Sequence, residues 1–438
     1  MSMVNAFSAE DFARLGAEEQ ALIARRERVL GPAYRLFYER PLHIVRGEGV
    51  WLIDAKGERY LDAYNNVASM GHCHPRVVEA IARQTGTLNT HTRYLHDGIV
   101  DYAERLVATF PSPLSQVMFT CTGSEANDLA FRIARQVTGG AGVIVTSLAY
   151  HGLTGAVAAF SPSLGTFVDL GLHVRTVPAP DSYRTRPEDM PHTLGRDVRA
   201  AIADMKRHGI KPAMLIMDTI FSSDGIFAHP AGFLKPAVDA IHEAGGLFVA
   251  DEVQPGFGRT GDAMWGFLRH GVEPDMVTIG KPMANGYPMA AVILKPEIIA
   301  EFGRQARYFN TFGGNPVAAA AAGAVLDIIR DEDLQQNAAE VGTYLMQGLK
   351  ALAAGDSRIG DVRGAGLFIG VEIVSDSDQK TPDAALTSRL VNGLRERHVL
   401  ISASGPFANV LKIRPPLVFS CADADIVLAA LAETLRHA

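Results

Sequence analysis

The chain has 438 residues and a mass of 47.0 kDa, enough for two or three domains. Apolar residues make up 47% and charged residues 20%, and 42 Gly with 23 Pro fall well short of a disordered composition. A formal charge of −7 leaves no basic footprint for nucleic acid, and three scattered cysteines (Cys73, Cys121, Cys421) argue against a disulfide framework or a zinc site.

A reducing, cytoplasmic compartment is therefore expected. The start carries Glu10 and Asp11 where a secretory signal would need a basic segment and an apolar one. The uncharged stretch 152–168 is broken by Gly, Ser, Thr and Pro, unlike a bilayer helix, so no membrane partner is expected.

In chain order, the first thirty residues read as a helical arm, with Ser8 and Asp11 spaced as a helix-start cap. Two short strands follow, at His43-Ile44-Val45-Arg46 and at Val50-Trp51-Leu52-Ile53-Asp54, with a turn at Lys56-Gly57. From about 115 to 295, short apolar runs alternate with helical stretches. The runs begin at Val117, Val143, Met214, Leu247, Met276 and Ala290. Their unbroken apolar character predicts strands buried on both faces, a mainly parallel sheet between helices. Between the first two runs, Ala126, Leu129, Ala130, Ile133 and Val137 share one helix face. Beyond Asn315-Pro316 an Ala-rich helix leads into an α+β pattern, with strands at 367–373 and 410–414 and a last helix at 422–436. The expected division is an N-terminal segment 1–64 packing beside the C-terminal part, a large α/β body 65–325, and a smaller α+β part 326–438.

Ligands of open α/β sheets collect at the carboxyl ends of the strands. Here those ends carry Gly123-Ser124, Tyr150-His151-Gly152, Asp218, Asp251-Glu252-Val253-Gln254 and Gly280-Lys281. A Gly-Ser helix start suits a phosphate, although alone it reads as readily as an ordinary capped helix. Asp251, ending an apolar run, needs a charged partner, and a protonated pyridine nitrogen would serve. Lys281, alone, reads more readily as a surface lysine at a strand end. Together with Asp251 and the phosphate cup it forms the set that pyridoxal 5'-phosphate (PLP) requires. No Walker motif is present, and no GxGxxG follows a strand, so nucleotide folds lose their signal.

In these segments the chain resembles the class III (ω-amino-type) aminotransferases, PLP enzymes of fold type I, over nearly its whole length. The resemblance also rests on Gly71-His72-Cys73-His74-Pro75, Thr311-Phe312-Gly313-Gly314-Asn315-Pro316, Gly364-Ala365-Gly366-Leu367 and Arg414-Pro415-Pro416. It implies Lys281 as the Schiff-base lysine and proton carrier, and Asp251 as the partner of the ring nitrogen. Val253 and Tyr150 would cover the two ring faces, Gln254 would sit near the ring hydroxyl, and Gly123 and Ser124 would hold the phosphate. His151 and Asp218 join the expected cofactor-binding set. Thr311 would reach the phosphate of the neighbouring subunit's cofactor, which implies a homodimer, or a tetramer of two such dimers, with active sites at the interface. Asn66 and Val67, with residues 34–38, would border the substrate, and Arg414 would clamp a substrate carboxylate. Without the family context, Arg414 reads equally as a surface arginine. The family often has Glu at position 218, pairing with that arginine; the shorter Asp218 puts such a switch in question.

The implied activity is a ping-pong transfer of an amino group from an amine or ω-amino acid to a keto acid of the pyruvate or 2-oxoglutarate type. Residues 65–67, 88–97 and 281–286 also resemble a branch that includes alanine–glyoxylate type 2 aminotransferases and the ethanolamine-phosphate and phosphohydroxylysine phospho-lyases. The alternative is thus elimination of phosphate and ammonia from a phosphoamine, which would need a further anion site; His151, Arg93 and Arg414 are candidates. A non-catalytic PLP-binding regulator would need a DNA-binding domain, but only about sixty residues precede the family-like core, they hold strands as well as one helix, and the chain is acidic.

Overall fold

The computed structural model describes residues 5–65 and 67–438. Ser8 caps the short helix α1 (Ala9–Phe12) through a reciprocal capping box with Asp11. α2 (Ala17–Leu30) buries only Ile23 and keeps its charges in solvent. β1 (Ile44–Glu48) and β2 (Trp51–Asp54) form the expected antiparallel pair. A third strand that was not expected, β3 (Arg59–Asp62), adds to β2 after the turn at Gly57, whose φ of +85° favours glycine. Val399–Leu400, near the other end of the chain, lies parallel on the outer edge of β3, with the Leu61 N–H donating to the His398 carbonyl at 2.8 Å. Helices α3 (Pro75–Thr85) and α4 (Asp97–Val107) follow.

The central sheet contains β4 (Gln116–Thr120), β5 (Gly142–Thr146), β6 (Val174–Val177), β7 (Pro212–Asp218), β8 (Leu247–Asp251), β9 (Met276–Ile279) and β10 (Ala290–Leu294). Its order is β4-β10-β9-β8-β7-β5-β6. Only β10 runs against its neighbours, so the carboxyl ends of the other strands share one edge. β6 was not anticipated: it is an edge strand, and the partly exposed Arg175 and exposed Thr176 at its centre break the apolar run that marks the others. Elsewhere successive residues enter opposite layers. Met214 and Ile216 of β7 join one apolar layer, and Leu215 and Met217 the other.

The layers are supplied by α5 (Gly123–Thr138), α6 (Gly155–Ala158), α7 (Met190–Arg207), α8 (Lys235–Glu243), α9 (Pro296–Gln305) and α10 (Pro316–Asp331). α5 lies on β7, β9 and β10 and buries Ala126, Leu129, Ala130 and Ile133, each large aliphatic side chain contributing about 1.5–3 kcal/mol. That packing fixes where its N-terminus points. Position 325 lies inside the continuous helix α10, which starts with Asn315 as N-cap and Pro316 in the first turn.

The remainder is α11 (Leu334–Gly355), β11 (Ile359–Ala365), β12 (Phe368–Asp376), β13 (Thr381–Pro382), α12 (Ala384–Glu396), β14 (Val399–Leu400), β15 (Ser402–Ser404), β16 (Val410–Ile413) and α13 (Cys421–His437). β11, β12, β16 and β15 form an antiparallel sheet, with β13 paired to β12. No helix among the described residues is long and apolar enough to cross a membrane.

Candidate active site

Nine of the expected residues line one cavity at the carboxyl edge of the central sheet: Gly123, Ser124, Tyr150, His151, Asp218, Asp251, Val253, Gln254 and Lys281. Asn127 and Gly152 complete its lining, which surrounds about 470 Å³ of open space. Register explains the convergence. Asp218 and Asp251 are direct neighbours at the ends of the parallel strands β7 and β8, and Asp251 pairs with Thr278 of β9, three residues before Lys281.

Asp251 is buried and fully oriented. His151 Nδ1 donates to its Oδ2 at 2.7 Å, Asn127 Nδ2 donates to the same oxygen at 3.0 Å, and the Val253 N–H donates to Oδ1 at 3.1 Å. A carboxylate only accepts, so the proton of His151 sits on Nδ1. Nε2 of His151 is buried without a partner among the described residues. Asn127 was not singled out from the sequence. Its signal is a polar residue on the buried face of α5, and it ties the helix both to Asp251 and to the His151 carbonyl, at 2.7 Å.

The helix start forms a cradle. Thr122 caps α5 by accepting the Glu125 N–H at 3.2 Å, and Glu125 accepts the Cys121 N–H at 2.7 Å, which leaves the N–H groups of Gly123 and Ser124 at the positive helix end. Gly152, at φ +140°, passes so close that a Cβ there would lie 2.4 Å from Ser124 Oγ. A Cβ at position 123 would stand 3.0 Å from Val253 Cγ2. Glycine is required at 152 by contact as well as by its backbone angle, whereas at 123 a Cβ would be tight against Val253.

Lys281 is partly buried, and its amine titrates below the usual lysine range. Burial is the main cause and the Arg414 cation the next, opposed by Asp251 and Asp218. The free, nucleophilic amine is thereby favoured. Asp218 is pushed up by burial and then by the Asp251 charge. Tyr150 borders the cavity half exposed, and burial raises its phenol above the ordinary range.

Arg414 is no surface arginine. It is buried at the end of β16, its Nε donates to the Tyr64 carbonyl at 2.9 Å, and its Nη1 donates to Gln254 Oε1. The guanidinium lies over the Tyr64 ring, 4.7 Å from its centroid. No carboxylate among the described residues is within ion-pair distance of it, so Asp218 does not take the pairing role considered from the sequence. Instead Asp218 accepts from Ile220 N–H (3.0 Å), Ser222 N–H (3.1 Å) and Ser222 Oγ.

The structure also contains a buried lysine that the sequence reading passed over. Lys412, two residues before Arg414 on β16, donates to the Ser222 carbonyl at 2.9 Å and is held well below the lysine range by burial and by Arg414. Three of the expected residues lie outside the cavity lining: Arg414, which reaches it only through Gln254, Val67 and Thr311. Val67 is exposed and its N–H donates to Asn65 Oδ1 at 2.9 Å, and Thr311 sits in an exposed turn before α10. Asn66 lies outside the described residues.

A family model described as aminotransferase class III matches residues 37–435. Alanine–glyoxylate aminotransferase 2-like from Drosophila melanogaster is 42% identical, over 94% of this chain and 86% of that protein. Ethanolamine-phosphate phospho-lyase homolog 1 from Caenorhabditis elegans is 36% identical, over 92% and 90%. A solved phospholyase from Arthrobacter, in complex with phosphoethanolamine, superposes with a TM-score of 0.92 at 45% identity, covering 95% of this chain and all of that one. The chain belongs to the class III aminotransferase family, whose members are PLP-dependent enzymes of fold type I.

The cavity fits that cofactor. The Gly152–Ser124 contact and the N–H groups at the start of α5 make a phosphate cradle, Asp251 presents an oriented carboxylate, and Lys281 supplies an amine whose burial disfavours its charge.

Proposed function

We propose that the chain eliminates phosphate and ammonia from a phosphorylated primary amine of the ethanolamine-phosphate type. The observation that carries this reading is the state of Arg414: a buried cation held by a carbonyl and an amide oxygen, with its charge left uncompensated for a substrate anion. An enzyme that alternated between anionic substrates and bare amines would need a carboxylate to neutralise that arginine in turn. Here every substrate is expected to bring its own anion.

PLP bound here supplies an electron sink for the carbon that carries the amine. Gly123 and Ser124 hold its phosphate, Asp251 its ring nitrogen, and Val253, Tyr150 and Gln254 its ring, with His151 and Asn127 fixing Asp251. Lys281 would hold the cofactor, and its amine is placed to take the proton from the amine-bearing carbon of the substrate. Arg414 orients the anionic end. The C–O bond on the neighbouring carbon breaks toward phosphate, and water carries the remaining fragment to aldehyde and ammonia.

A second reading is an amino-group transfer in which donor and keto acid acceptor both carry a carboxylate. The 42% identical aminotransferase-named relative and the fit of a guanidinium fork to a carboxylate support it. The 45% identity to a phospholyase weighs toward elimination. Incubating the holoenzyme with ethanolamine phosphate and no keto acid should release inorganic phosphate and ammonia in equal amounts. Bleaching of the yellow colour without phosphate release, reversed by pyruvate or 2-oxoglutarate, would establish the second reading instead.

The exposed turn at Thr311 supports a homodimer in which that residue approaches the neighbouring subunit's cofactor phosphate. Three free cysteines support a cytoplasmic location.

A further inference from the structure

Three hydrogen bonds run in one fixed direction from Arg414 to Asp218. Arginine can only donate, so Gln254 must present Oε1 to it and turn its amino group away. That amino group donates to Ser222 Oγ. The single hydroxyl proton of Ser222 is then left for Asp218 Oδ2, which already accepts the Ser222 N–H. The backbone of Ser222 is clamped as well, its carbonyl accepting from Lys412 Nζ at 2.9 Å and Ser404 Oγ at 2.8 Å. Ser222 has no exposed surface, and all its polar atoms are engaged.

We propose that Ser222 is a positioning residue that sets substrate specificity: it occupies Asp218 and locks the Gln254 amide, so that Asp218 does not pair with Arg414 and the arginine stays open to a substrate anion. This rests on Arg414 being the anion-binding arm, as in the function proposed above. Arg414 is buried and Asp218 half-buried, and attraction between a carboxylate and a guanidinium grows as the local dielectric falls. Two neutral groups keep them apart. Without the hydroxyl, Asp218 loses its strongest neutral donor, and Gln254 is free to rotate. The carboxylate then competes with substrate for the guanidinium.

The test is a double-mutant cycle on the PLP-loaded enzyme, with inorganic phosphate as the binding probe, measured by calorimetry, and with KM and kcat determined in parallel. S222A should weaken phosphate binding and raise KM about tenfold, the scale of one hydrogen bond to a charged group, while kcat changes about twofold or less. In the D218N background, which has no carboxylate to compete, adding S222A should change phosphate affinity less than about twofold. Equal weakening in both backgrounds would mean a merely structural serine and would overturn the proposal, as would no change in either. Should S222A not fold, S222C keeps the size with a poor donor and is judged by the same outcomes. If ethanolamine phosphate yields no phosphate but the cycle appears with a keto acid as the anion, the elimination reading fails and the role of Ser222 stands.

Discussion

The cavity and its β16 flank, where Arg414 touches the lining residue Gln254 from outside, handle charge in opposite ways. At the β8 end, Asp251 is an acceptor surrounded by three donors, Asn127 of α5 and the loop residues His151 and Val253, and its direction is fixed before any ligand arrives. At the β16 end, Arg414 is a cation given only neutral acceptors, and Asp218 takes its donors from Ile220 and Ser222 instead. A cofactor that stays needs a preorganised partner, whereas a substrate that comes and goes needs a charge kept in reserve. The contrast also explains Lys281, which stands between the two and has its amine pulled in both directions, with burial and Arg414 prevailing over the carboxylates.

The sharpest way to break this contrast is at its midpoint. K281A should abolish turnover, by at least about a thousandfold, and borohydride reduction followed by peptide mapping should find no cofactor-labelled peptide at position 281. Persisting colour and turnover would end the assignment. R414Q tests the β16 end by itself. KM for the anionic substrate should rise roughly a hundredfold, in line with removal of a buried charged partner, while cofactor retention on dialysis stays as in the parent enzyme. Equal loss of cofactor would show that the two ends are not separable.

G152A tests the β8 side. The new methyl would collide with Ser124, so PLP affinity should fall about tenfold or more, measured by retained absorbance after dialysis, with KM of the reloaded enzyme little changed. The smallest effect concerns Asp224, behind the cavity, whose buried carboxyl is pushed up to about 7 by burial. A raised acid stabilises the fold below its ordinary pKa, near 4, and loses that contribution as pH climbs toward 7. Stability of the parent protein should therefore slope downward over that window, by at most about 1.4 kcal/mol per pH unit from this group. D224N should flatten the slope in thermal melts, and an unchanged slope would refute the assignment.

The sequence showed the β8 end better than the β16 end, for a physical reason. Asp218, Asp251 and Lys281 each follow an apolar run, and a charge at the end of a doubly buried strand is a local signal. Asn127 was within reach by the same logic, as a polar residue on an apolar helix face. The burial of Arg414 was not, because it depends on Tyr64, Gln254 and Phe368, all distant in sequence. Ser222 lies in a loop with no periodicity, and only the polarity of its neighbours gives it meaning. β6 and β3 were missed because short or half-exposed strands lack the continuous apolar texture of the others.

The pairing of β14 on β3 sets the order of events during synthesis. Leu61 is made long before its partner at Val399, which lies far along the chain. Until then the sheet of β1, β2 and β3 carries an open edge, a template for wrong pairings in the crowded cell. Completion of this sheet therefore waits for residue 399, and nascent chains halted before it should be the ones that most need a chaperone.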